Sequence, residues 1–319
     1  MEEGENMLKK LFARLGKGAA TVDLRLHNPN IQGGQTIQGE LVIQGGEVTQ
    51  SINNVSVAFM MDVTLKQGPT AQQIALIPII GRDTISPGET KTIPFNYAIP
   101  ADLPVSRNHV SYYFHTNVDI EGGIDRKDVD RLNILPSTEV QALFDAMQLL
   151  DFREKATSGK MDAYGQEFAF FPTSRFQQDI QEVELRVAKQ LDGLRVWMEI
   201  DCRNGFREIE AKREFIIPFE TLQDVATVKQ LLEDYIGETI QNPTAYLQPF
   251  SFQNQHYQKG MSPSMGSAIP GMIGGLAVGV LGSILISEML DGLMDEEMME
   301  EATGEFEDMT EDFGDFDDF

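Results

Sequence analysis

The chain has 319 residues, a formal net charge of −25 and a single cysteine, Cys202. One cysteine excludes an intramolecular disulfide, and the charge disfavours nonspecific DNA or RNA binding, which depends on Lys and Arg neutralising phosphates. The length suggests two domains, each able to bury a core without disulfide or metal.

In residues 7–16, Met7, Leu8, Leu11, Phe12 and Leu15 share one helical face, lysines take the other, and Gly16 is a stop. Residues 1–19 therefore read as a short amphipathic N-terminal helix. Packing on the following domain and attachment to a membrane surface use the same pattern, and a face of two turns favours packing. Lys9, Lys10 and Arg14 interrupt the apolar residues, which does not fit a cleaved signal peptide; with the lone cysteine this points to a cytoplasmic chain.

From Ala20 to Leu135 the sequence breaks into short alternating or β-branched runs: Thr21–His27, Gln35–Ile43, Val55–Leu65, Ile74–Ile80, Thr90–Ala98, Val110–Ile120 and Arg131–Leu135. Gly33-Gly34, Gly45-Gly46, Pro87-Gly88, Pro100 and Gly122-Gly123 punctuate them. About seven strands at this spacing predict a β-sandwich over 20–136 rather than a doubly wound sheet, which needs intervening helices.

The period then changes once. Ser137 with an early Glu139, followed by Val140, Leu143, Phe144 and Met147, predicts a connecting helix over 137–150. A second, leaner β-rich domain is read over 151–240, with strands Glu167–Phe171, Asp179–Ala188, Leu194–Cys202 and Phe206–Ile217 and a closing helix Val228–Ile236. Residues 241–268, rich in Gln, Asn, Ser and Pro, read as a flexible linker.

The last two segments differ again. In 269–290, Gly271, Gly275, Gly279 and Ser283 recur every four residues, giving one smooth small-residue stripe on a helix. The uncharged run allows self-association in water or at an interface, a membrane span, or an apolar linker. After Lys259 there are fifteen acidic residues and no basic ones. Residues 291–319 read as a disordered acidic tail, either a solubilising acidic bristle or one in which Phe313, Phe316 and Phe319 form a short motif, rings for an apolar groove and carboxylates for its basic rim.

Gly33-Gly34-Gln35-Thr36-Ile37-Gln38-Gly39-Glu40-Leu41-Val42-Ile43 resembles the early-strand motif of arrestin-like domains, with Gly33 and Gln35 departing from it. Ile85-Ser86-Pro87-Gly88-Glu89, followed by Ile93-Pro94-Phe95-Asn96-Tyr97-Ala98-Ile99-Pro100, resembles the next motif of that superfamily. Leu8-Lys9-Lys10-Leu11, the run Val118–Asp130 and Gln166-Glu167-Phe168-Ala169-Phe170-Phe171-Pro172 are similar to the bacterial sporulation-control family called SpoOM. That resemblance covers roughly residues 7–240. It implies a mainly β protein of two arrestin-like sandwich domains in tandem, without catalytic residues or cofactor, acting through protein contacts.

Chemistry-bearing constellations are sparse. His27, His109, His115, His256 and Cys202 lack zinc-site spacing, and no nucleophile elbow or phosphate loop is present. Asp119, Glu121, Asp125, Asp128 and Asp130 cluster around Gly122-Gly123; the spacing does not match an EF-hand and reads as a glycine hairpin with an Asp128-Val-Asp130 turn, or as ion pairs with Arg126, Lys127 or Arg131. No metal, cofactor or nucleic acid is expected. The primary reading is a non-catalytic regulator or scaffold whose partners are other proteins; the alternative is a membrane-associated or self-assembling structural protein attached through 269–290.

Overall fold

The structure is a computed structural model and describes residues 18–65, 68–121, 124–162, 164–204 and 207–251. The N-terminal helix, the Gly122-Gly123 turn, the glycine stripe and the acidic tail all lie outside them.

The first half packs a small sheet on a large one. The small sheet is antiparallel, in the order β1 (Thr21–Leu26), β3 (Thr36–Gln44), β7 (Thr90–Ala98). The large sheet runs β2 (Asn30–Gln32), β9 (Arg126–Leu135), β8 (Val110–Ile120), β4 (Gln50–Leu65), β5 (Gly68–Ile80), with β6 (Asp83–Ile85) also on β4. Period-2 alternation puts Leu41 and Ile43 of β3 and Phe95 of β7 on one inner face, Phe59 of β4 and Tyr112 and Phe114 of β8 on the other. Phe114 is the hub, its ring centroid 5.1 Å from Phe59 and 5.2 Å from Phe95. Tyr112, fully buried, donates its hydroxyl to the Pro104 carbonyl at 2.8 Å, so burial leaves no polar atom unpaired there.

Gly33 shows why the arrestin-like turn here is glycine. A Cβ on it would stand 2.4 Å from the Ala101 carbonyl oxygen, so the chain passes too close for any side chain.

The predicted connecting helix is α1 (Thr138–Leu149), capped by Ser137, whose side chain accepts from the Val140 N–H. It ends at Asp151, the one non-glycine residue described with positive φ, 63°. There the Asp151 carbonyl accepts from both the N–H and the hydroxyl of Thr173, tying the helix end to the next sheet.

That sheet is antiparallel, in the order β10 (Phe152–Glu154), β12 (Gly165–Pro172), β13 (Ile180–Lys189), β14 (Gly193–Asn204), β15 (Arg207–Pro218), with β11 (Lys160–Asp162) on β12. Leu185, Val196, Met198 and Ile200 form its buried face, against Leu143 and Met147 of α1 and Val228, Leu232 and Ile236 of α3 (Val225–Gln241). A short α2 (Phe219–Leu222) leads into α3. The second layer of this half is therefore helical: its strands make up one sheet, and two helices cover the face that a second sheet would otherwise cover.

Where sequence and structure differ, the missed strands β2, β6, β10 and β11 span three residues each, too short to show a period. A correction applies at 241–268. Residues 243–246 form a 3₁₀ turn, Tyr246 lies over Arg213 (4.6 Å), and Phe250 is buried with Trp197, so the chain to Ser251 is packed, not a free linker. The polar composition concealed two aromatic anchors. The halves also interlock: Met161 of β11 enters the first core, and Val105 packs on the second.

Candidate functional surfaces

The junction between the halves is held by Arg107. Its guanidinium stands over Phe144 and Phe168, 5.8 and 5.9 Å from the ring centroids, and Nε donates to Glu154 at 2.7 Å. Gln166 adds a paired contact, accepting from the Val105 N–H at 2.7 Å and donating to the Val105 carbonyl at 2.8 Å. Beside it opens a cleft of about 410 Å³, lined by Arg107, Phe144, Asp145, Arg153, Glu154 and Phe170 among others. Two guanidinium groups offset by two carboxylates over an apolar floor favour no ligand of one charge sign.

The outer face of the second sheet is acidic. Register sets Glu182 opposite Asp201, Glu184 opposite Glu199, and Asp201 opposite Glu210. Partial compensation comes from Lys155 on Glu182, from Lys212 between Glu199 (3.4 Å) and Glu210 (3.3 Å), and from Arg186, which forks onto Asp162 at 2.9 and 2.8 Å and also reaches Glu167. Burial, then neighbouring carboxylates, pushes Glu184 up to about 8 and Asp201 up to about 7.

A third surface is the edge of the large sheet. β5 pairs with β4 on one side, and its other side pairs with no strand among the described residues. Gly68–Ile80 contains no charged side chain, and Leu76 is 60 % exposed. Pro69 and Pro78 each remove a ladder donor, which confines such a strand to an edge.

The predicted interaction residues Gly271, Gly275, Gly279, Ser283, Phe313, Phe316 and Phe319 lie outside the described residues. Of the acidic cluster, Asp119 accepts from the side chains of Asn53 (2.8 Å) and Asn54 (3.1 Å). The Asp128-Val-Asp130 turn is corrected: both aspartates stand within β9, facing β1. Asp128 accepts from the Leu24 N–H at 2.8 Å, and oxygens of Asp23, Asp128 and Asp130 all lie within 4.8 Å of one another. Burial first, then Asp128 and Asp23, pushes Asp130 up to about 7. Sequence reading missed Asp23, because 104 residues separate Leu24 from Asp128. His115 sits mid-strand opposite Val129, and Cys202 is buried, its thiol pushed up to about 11 by burial, Asp201 and Asp179, which suits packing rather than nucleophilic attack.

These features define a mainly β protein of layered, mostly antiparallel sheets with a helix-covered second half, in which only β2 and β9 pair in parallel among the described strands, presenting an acidic sheet face and a strand edge left unpaired among the described residues. The model of the SpoOM protein family matches residues 8–205, and the chain belongs to that family. It is similar to the sporulation-control protein spo0M of Bacillus subtilis (strain 168), 31 % identical over 254 residues, covering 73 % of this chain and 98 % of that protein. The crystal structure of Spo0M from Bacillus subtilis superposes with a TM-score of 0.55 at 25 % identity, covering 69 % of this chain and 99 % of that one. Among the described residues, no helix is long and apolar enough to cross a membrane.

Proposed function

We propose that this chain is a non-catalytic regulatory protein of the sporulation-control type that works by docking other proteins, with the β5 edge as its principal docking strand. The observation that carries the reading is that edge: thirteen residues, uncharged, unpaired on one side among the described residues, and backed by a packed sheet. An extended segment of a partner adds to such an edge through main-chain hydrogen bonds, with side-chain contacts at alternate positions giving specificity. Charge on a strand edge is a common guard against this pairing and β5 carries none; its guards are Pro69 and Pro78, which leave the stretch 70–77 between them free of proline. Kinship with a sporulation-control protein gives the regulatory context.

Site-specific photo-crosslinking in living cells tests the proposal. A crosslinker at Gln73 should give a discrete protein adduct, and Ala75→Pro should abolish it while leaving the melting temperature within a few degrees. Equal adducts from Gln73 and from a position on the opposite sheet, such as Thr92, would reject β5 as the docking edge.

A further inference from the structure

The place where β1 crosses β9 has the donor set of a cation site. Asp23 comes from the small sheet, Asp128 and Asp130 from the large one, and one oxygen of each lies within 4.8 Å of the others. Three carboxylates at that spacing repel, most strongly Asp128 and Asp130, which are half-buried, while Asp23 is more exposed. Two unpartnered oxygens, one on a member of this trio and one on its neighbour, point to a missing partner. Asp130 Oδ2 is shielded from solvent and has no hydrogen-bond partner. Thr116 is fully buried, and its hydroxyl likewise has none. The β8–β9 register sets Thr116 directly opposite Asp128, so both side chains stand on the same face, with Cβ atoms about 5 Å apart. Buried polar atoms are almost always satisfied by protein, water or an ion, so one orphan oxygen within the carboxylate trio and a second on Thr116 beside it call for a common partner.

We propose that Asp23, Asp128, Asp130 and the Thr116 hydroxyl bind a hard divalent cation of the calcium, magnesium or manganese class, which clasps the small sheet to the large one. All four donors are oxygens, the preference of such ions, and water completes the shell. Asp128 keeps its Oδ2 on the Leu24 N–H, which fixes the carboxylate while its other oxygen serves the ion. Arg25 holds Oδ2 of Asp23 at 2.7 Å from the exposed side, leaving Oδ1 for the ion.

The test uses the full chain, stripped with chelator and titrated separately with Ca²⁺, Mg²⁺ and Mn²⁺ by calorimetry, with melting temperature read in parallel. Because the acidic tail binds cations diffusely, the decisive comparison is among variants of the full chain. Wild type should show one saturable equivalent and a cation-dependent rise in melting temperature. Asp23→Asn and Asp130→Asn should each abolish that rise while melting no lower than wild type in chelator, since each removes repulsion. Thr116→Val should weaken binding about tenfold through loss of one oxygen ligand. A wild-type chain without the rise, or Asn variants that keep it, would overturn the site. Each of those results would mean that the carboxylates only share a proton.

Discussion

Glu184 on β13 and Glu199 on β14 stand directly opposite each other across the second sheet, two carboxylates where a stable sheet places unlike charges. Diagonal to them, Glu182 faces Asp201 in the same pairing. Glu184 is the more perturbed because Lys212 attends Glu199 while no cation pairs with Glu184 among the described residues.

That row makes stability fall as pH rises. Glu184 and Asp201 titrate at about 8 and about 7 in the fold, against ordinary values of 4.5 and 3.8, so between those limits the folded state holds more protons than the unfolded one. The resulting cost is absent below about pH 4 and complete above about pH 8. In chelator, the melting temperature should decline from pH 5 to pH 8.5. Glu184→Gln should flatten the decline and stabilise the protein at pH 8 by about 1 kcal/mol or less, after discounting for the solvent that screens this half-exposed face. A melting temperature that climbs over this range would count against the row.

Two glycines should respond to alanine with opposite signs. At Gly33 the added Cβ meets the Ala101 carbonyl oxygen at 2.4 Å, and the backbone shift should cost about 1–3 kcal/mol. At Gly237, inside α3, a Cβ meets nothing within 4 Å, and alanine should stabilise by about 0.5–1 kcal/mol through helix propensity. Urea denaturation of both variants at one pH separates the two signs.

Truncation after Gln241 and after Ser251 should differ in stability. The shorter chain loses Tyr246 from Arg213 and Phe250 from Trp197, so its melting temperature should drop and its tryptophan emission shift to the red. The longer truncation should keep both readouts. Comparing it with the full chain tests the tail itself: we propose that the stripe of Gly271, Gly275, Gly279 and Ser283 self-associates. We further propose that Phe313, Phe316 and Phe319 bind a basic partner in a salt-sensitive way. Unchanged oligomeric mass and unchanged partners on removing 252–319 would remove both ideas.

The sequence by itself determined the elements whose signal is local. Alternation over nine or more residues marked β7 and β8 to the residue, and Ser137 with its apolar spacing marked α1. Burial of one face imposes those periods on any such segment, whatever its partner. Which strands become neighbours is different, because register joins residues far apart in the chain and is chosen by packing of the whole. Only tertiary structure could set Glu184 against Glu199, turn β5 outward as an edge, or replace a second sheet by α1 and α3. Asp128 and Asp130 drew notice in the sequence as an acidic cluster, but their meaning changed when β1 brought Asp23 across more than a hundred residues to the same point. No local period encodes that meeting: it is fixed by burying the faces of two sheets against each other, which aligns whatever the strand edges carry.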